Sequence, residues 1–175
     1  MDIFVINTSD SNNISAELLE EFRHKEFSNL KKKKEHCLAY LMLDRILKEV
    51  YQIENREIEF INEKPYLKTK EKFFSLSHSG EFIVIALSDF ECGVDIEQIK
   101  QRNFEAISER MGFNSKTLED FYFDWTRYEA EYKLGAQAQS LKQTNCKGYS
   151  ITSVSSNVEE TFDIFIQNGE TFPNL

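Results

Sequence analysis

Residues 3 to 7, Ile-Phe-Val-Ile-Asn, form a short apolar run with β-branched members and predict an opening strand. After Ser15 the period lengthens. Leu18, Leu19 and Phe22 recur at helical spacing, and Glu17 and Glu20 suit a first turn. A second helix is predicted over 31–51, where Leu38, Leu41, Ile46 and Val50 fall near one stripe and basic residues crowd the entry. From about residue 57 the pattern changes again. IEFI, FFSL and FIVIALS read as strands of an antiparallel sheet, separated by turns, one of them a proline-containing turn at Lys64-Pro65. Glu91-Cys92-Gly93 closes another turn before Gly93 to Glu97, whose alternation buries Val94 and Ile96 and leaves Asp95 and Glu97 sharing the opposite face.

A long helix is predicted from Thr117, which caps it with Asp120 three residues on. Leu118, Phe121, Trp125, Tyr128 and Tyr132 give the stripe expected to dock it on a core. Beyond Gly135 the chain is polar and reads as loop, before YSITSVSS and TFDIFIQN supply two strands of a closing hairpin. The order predicts an α+β fold of two facing halves, 1–100 and 101–175, with a boundary near 98–104 and no obvious repeat between them.

The chain has 175 residues, 41% hydrophobic and 29% charged, with 6 Gly and 2 Pro, a globular composition. No apolar run approaches the roughly 20 residues of a membrane span, and the first residues lack a signal-peptide pattern, so a cytoplasmic protein without membrane contact is expected. Cys37, Cys92 and Cys146 are widely spaced and odd in number, which points to small thiols and away from a disulfide framework or zinc site. A net charge of -9 argues against general nucleic-acid binding. Against that acidity, Arg23, Lys25, Lys31, Lys32, Lys33, Lys34, Arg45 and Lys48 crowd one region and suggest a local anion site.

Asp95 and Glu97 lie about 7 Å apart from Cα to Cα on one strand face. Such a pair is a workable magnesium edge that needs one more acid, or else a solvated strand face. Glu129, at the margin of the long helix's stripe, is the candidate third acid. Lys133 follows one turn later, an arrangement that also describes an ordinary helix-supporting pair. Ser77-His78-Ser79-Gly80 reads as a tight turn where backbone amides approach a phosphate and His78 donates to it, or as a plain hairpin turn.

Taken in order, Lys64-Pro65, FSLSHSG at 74–80, GVDIE at 93–97 and WTRYEAEYK at 125–133 resemble the 4'-phosphopantetheinyl transferase superfamily, specifically its surfactin-type branch of two fused halves. The resemblance implies a pseudo-dimer of similar α+β halves with the active site between them. It implies that Asp95, Glu97 and Glu129 hold a magnesium ion against the pyrophosphate of coenzyme A. Lys64, Ser77 and His78 match positions that contact coenzyme A, and one or more of Lys31, Lys32, Lys33 and Lys34 matches the basic group near its 3'-phosphate. Glu129 and Lys133 would be catalytic, the first taking the proton of an acyl carrier protein serine and the second balancing the leaving phosphate.

Two positions depart from the family pattern. Tyr128 stands where the pattern has lysine, and one residue separates Lys133 from Gly135 where the family commonly has two. The chain also ends sooner than typical surfactin-type members. The expected partners are coenzyme A and an apo carrier protein, and the expected state is a monomer. A catalytically impaired relative that only binds coenzyme A or carrier protein is the first alternative, and an unrelated magnesium-dependent phosphohydrolase the second.

Overall fold

The first helix among the described residues shows how the layers form. In a computed structural model that describes residues 1–8 and 29–168, α1 spans Leu30–Glu49 and begins at Asn29, whose side chain accepts from the Lys31 amide. Leu38, Leu43, Ile46 and Leu47 recur at helical spacing and are buried, each burial stabilising by about 1.5–3 kcal/mol. They pack on Phe4, Ile6, Phe74, Ile83, Ile85 and Leu87. The helix expected after Ser15 lies outside the described residues.

Those partners come from a four-stranded sheet of order β4-β5-β1-β9, built from β1 (Asp2–Asn7), β4 (Phe73–Ser79), β5 (Phe82–Ser88) and β9 (Asp163–Asn168). β1 and β4 flank β5 antiparallel, and β9 runs parallel to β1 with Asp2 opposite Asp163. β5 is central and buried along its whole length, which explains its continuous apolar run. The other face of this sheet carries Ile3, Val5, Phe82, Val84 and Ala86, which pack on Val94, Ile96, Tyr149 and Ile151.

This second core joins the first sheet to another of order β6-β8-β7, antiparallel throughout, made of β6 (Cys92–Gln98), β7 (Ser140–Cys146) and β8 (Tyr149–Ser155). A short helix, α2 (Glu105–Met111), precedes α3 (Leu118–Leu134), which covers the outer face of this sheet. The layers therefore run helix, sheet, sheet, helix. The fold is mixed α+β, and among the described residues no helix is long and apolar enough to cross a membrane.

Several expectations need correction, among them the loop beyond Gly135, which contains β7. Lys64-Pro65 opens β3 (Lys64–Leu67), which pairs with β2 (Ile58–Ile61), and the turn is Asn62-Glu63, both with positive φ. Pro65 is tolerated because this ribbon has only two strands. Ser77 to Ser79 belong to β4, and the turn is Gly80-Glu81. The final hairpin is β7–β8, whereas β9 crosses to the first sheet. Lastly, α3 presents Tyr122, Thr126, Ala130 and Leu134 with Phe121 to the interior, while Tyr128 and Tyr132 are exposed. Thr126 is buried at no apolar advantage because its hydroxyl donates to the Tyr122 carbonyl and meets Thr152 Oγ1 at 2.7 Å.

Candidate functional site

Gly93 sets the site. A Cβ there would lie 2.0 Å from the Ala130 carbonyl oxygen, so only glycine lets the backbone of α3 rest directly on β6. It lies within β6 and closes no turn. The small Ala130, wholly buried, faces it from the helix. This close approach carries Glu129 and Lys133, which flank the contact on α3, to the strand that bears Asp95 and Glu97. The capping box at Thr117 and Asp120 fixes the start of that helix, and Gly135 ends it with φ of 79°.

Lys133 reaches β6. Its Nζ donates to Asp95 Oδ1 at 2.7 Å and to the Val94 carbonyl at 3.0 Å. Asp95 Oδ1 also accepts from Ser77 Oγ at 2.7 Å. The residue as a whole is 5% exposed, and its Oδ2 is buried without a hydrogen-bond partner. Glu97 is half-buried, and its Oε2 accepts from Ser79 Oγ at 3.1 Å.

The electrostatics couple the three acids. Burial first, and then the Asp95 charge, raise the carboxyl of Glu97 above its ordinary value, against the pull of Ser79, Lys133 and Arg102. Glu129 is raised by burial and by the same Asp95 charge, and Lys133 opposes this. Negative charge is thus concentrated beyond what one lysine offsets. The donor set suits a hard cation such as magnesium, because carboxylate oxygens dominate it and one, Asp95 Oδ2, is open. Among the described residues, however, no three His, Cys, Asp or Glu side chains converge closely enough to hold a metal by themselves. Asp95 and Glu97 lie on one strand, and Glu129, on α3, feels the Asp95 charge as Glu97 does.

The other sequence-predicted residues divide between the two faces of β4. Ser77 turns toward β6, and His78 turns the opposite way, toward α1, where its Nδ1 lies 3.5 Å from Glu35 Oε2. Lys31 Nζ meets the other oxygen of Glu35 at 3.7 Å. Glu35 therefore gathers His78 with the first turn of α1, where Lys31, Lys32 and Lys34 are exposed and no acidic residue offsets the helix dipole. Lys64 sits elsewhere. Its Nζ donates to Glu91 Oε2 at 2.6 Å and to the Leu134 carbonyl at 3.2 Å, which ties the β2–β3 ribbon to the end of α3.

No protein-family profile matches the chain. It is similar to 4'-phosphopantetheinyl transferase psf-1 of Bacillus pumilus, with 30% identity over 139 residues, covering 70% of this chain and 55% of the relative. The chain belongs to the 4'-phosphopantetheinyl transferase family. It spans about half the length of that curated relative.

For a phosphopantetheinyl transferase relative, Tyr128 is the clearest departure from pattern. It is 43% exposed and leans on Trp125 and Phe113, with ring centroids 6.3 and 6.2 Å away. Three residues that shape the site escaped the sequence reading: Gly93 as a close-approach residue, Glu35 between Lys31 and His78, and Ser79 beneath Glu97. Gly93 left a signal, since a glycine inside an alternating strand marks a near backbone. Ser79 and Glu35 left none.

Proposed function

We propose that the protein transfers the 4'-phosphopantetheine group of coenzyme A to a serine of an apo acyl carrier protein, with magnesium as cofactor and 3',5'-ADP as leaving product. Membership of the family supports this chemistry. The observation that carries it to these residues is Lys133 Nζ lying 2.7 Å from Asp95 Oδ1, which unites the helix and strand motifs in one cluster.

Magnesium, held by Asp95 and Glu97 with Glu129, would neutralise charge on the pyrophosphate when bound. The remaining work falls to side chains. Glu129, its carboxyl raised by burial and by Asp95, is the stronger for it as acceptor of the carrier serine's proton. The serine oxygen forms its bond to the β-phosphorus as the bond to 3',5'-ADP breaks. Lys133, one turn on, meets the negative charge that grows on the leaving phosphate. Lys31 to Lys34 and His78 are proposed for the 3'-phosphate end of coenzyme A, and Lys64 and Ser77 for its other contacts.

The two-half reading belongs here as well. The halves, 1–100 and 101–175 in the surfactin-type arrangement, are divided along the chain and exchange strands: the first lends β6 to the sheet of β7 and β8, the second lends β9 to the sheet of β1, β4 and β5, and the acids lie where β6 meets α3. A cytoplasmic monomer is the state proposed. The test is the intact mass of an apo carrier protein incubated with coenzyme A and Mg²⁺. A gain of one phosphopantetheine that requires the metal and disappears with Glu129→Gln supports the function; no gain across several carriers removes it.

A further inference from the structure

Three serines alternate along one face of β4, and each accepts a backbone amide of β6 at the same offset of 19 residues: Val94 N to Ser75 Oγ at 3.0 Å, Ile96 N to Ser77 Oγ at 3.4 Å and Gln98 N to Ser79 Oγ at 3.1 Å. These amides lie on the edge of β6 that β8 does not pair. The hydroxyls thus stand in for a neighbouring strand and join the two sheets. A hydroxyl that accepts still has a proton to donate. Ser77 gives its proton to Asp95 Oδ1 at 2.7 Å, and Ser79 gives its own to Glu97 Oε2 at 3.1 Å. Ser75 holds the strand alone, with no carboxylate beside it on β6, where its partner is Val94.

We propose that Ser79 is a positioning residue for the metal-binding acids, aiming Glu97 from beneath while it fixes the backbone that follows, as Ser77 does for Asp95. The inference rests on the magnesium reading of the site. Hydrogen bonds to a ligating carboxylate set its orientation, and their removal typically weakens metal binding about 10-fold or more. Glu97 has particular need of this, because the Asp95 charge on the same strand face repels it. Ser79 is only partly buried, so the larger threonine fits a strand position there while keeping the hydroxyl.

The ladder contains its own control. Ser75→Ala and Ser79→Ala each remove one joint between β4 and β6, but only the second frees an acid. Mg²⁺ alone is titrated calorimetrically into the full chain, and thermal unfolding is followed in parallel. The expected result is affinity about 10-fold weaker for Ser79→Ala, restored in Ser79→Thr and unchanged in Ser75→Ala, although both alanine variants melt earlier. Equal affinity in wild type and Ser79→Ala overturns the role, as does an equal loss in Ser75→Ala or no recovery with threonine. If Ser79→Ala fails to fold, wild-type affinity in Ser79→Thr against a 10-fold loss in Ser79→Val decides in its favour, and equal affinity in those two decides against. No binding by the wild-type chain overturns the magnesium reading itself, and the role with it.

Discussion

Lys133 on α3 is the counter-ion of Asp95 on β6, with 2.7 Å between Nζ and Oδ1 and side chains only 29% and 8% exposed. An ammonium in this place neutralises the carboxylate when no metal is present. Lys133→Met should therefore cost about 3 kcal/mol in urea unfolding without metal, because it leaves a buried charge unpaired. Added Mg²⁺ should recover part of that loss, and a variant as stable as wild type in metal-free buffer would show the pair to be idle. Phosphopantetheine transfer by the same variant should fall at least about 100-fold, consistent with loss of a charge-stabilising group.

Gly93→Ala tests the contact of helix on strand. The added methyl meets the Ala130 carbonyl, a backbone atom that cannot turn aside. The helix must move outward, at a cost of about 3 kcal/mol, the upper end of ordinary overpacking. Activity should fall more than stability explains, since Glu129 and Lys133 move with the helix. Unfolding curves and transfer rates measured on one preparation check both.

Glu97 gives the pH dependence. Its carboxyl is raised above its ordinary value of 4.5, so the folded protein holds this proton more tightly than the unfolded chain. That contribution is fully present below the unfolded value and is lost as pH rises through the folded one. Glu97→Gln should therefore melt higher than wild type at pH 7 without metal, and the difference should shrink as pH falls toward 4.5. A variant that melts lower than wild type at pH 7 would reverse the sign and refute the argument. Magnesium should stabilise wild type more than Glu97→Gln.

Tyr128→Lys restores the family's lysine. The ring makes only edge and tilted contacts with Phe113 and Trp125, and its loss should cost about 1 kcal/mol or less. The variant should fold, and its transfer rate should exceed that of wild type if a second cation on this helix assists catalysis. A rate at or below wild type would mean that this chain works without that group.

Much of the fold was legible in the sequence where one residue's environment is set by its own neighbours. The unbroken apolar run of β5, the cap of α3 at Thr117 and the shared face of Asp95 and Glu97 are local facts. The remainder depends on partners far along the chain. β7, with Lys142, Gln143 and Asn145, is too polar to announce a strand, and it exists because β8 beside it is buried on both faces. The aromatic positions of α3 suggested one docking stripe. The true interface also uses Thr126, whose hydroxyl meets Thr152 and Ser150 of β8, and Ala130, whose small size the close approach at Gly93 demands, and neither stands out in a hydrophobicity pattern. His78 and Ser77 looked like one turn and proved to serve opposite faces of β4, since a strand alternates its side chains where a turn does not.

The parallel pairing of β9 with β1 sets the timing of folding. Asp2 lies opposite Asp163, and the Asp163 amide donates to the Met1 carbonyl at 3.0 Å, so one edge of β1, the edge that β5 does not pair, must wait for a strand synthesised some 160 residues later. Closing so long a loop is entropically slow. During synthesis β1 has one edge bare, with alternate apolar side chains on both faces, and for that interval the nascent chain presents a template for wrong pairing. A ribosome-bound fragment ending before β9 should therefore engage chaperones that the finished chain does not need.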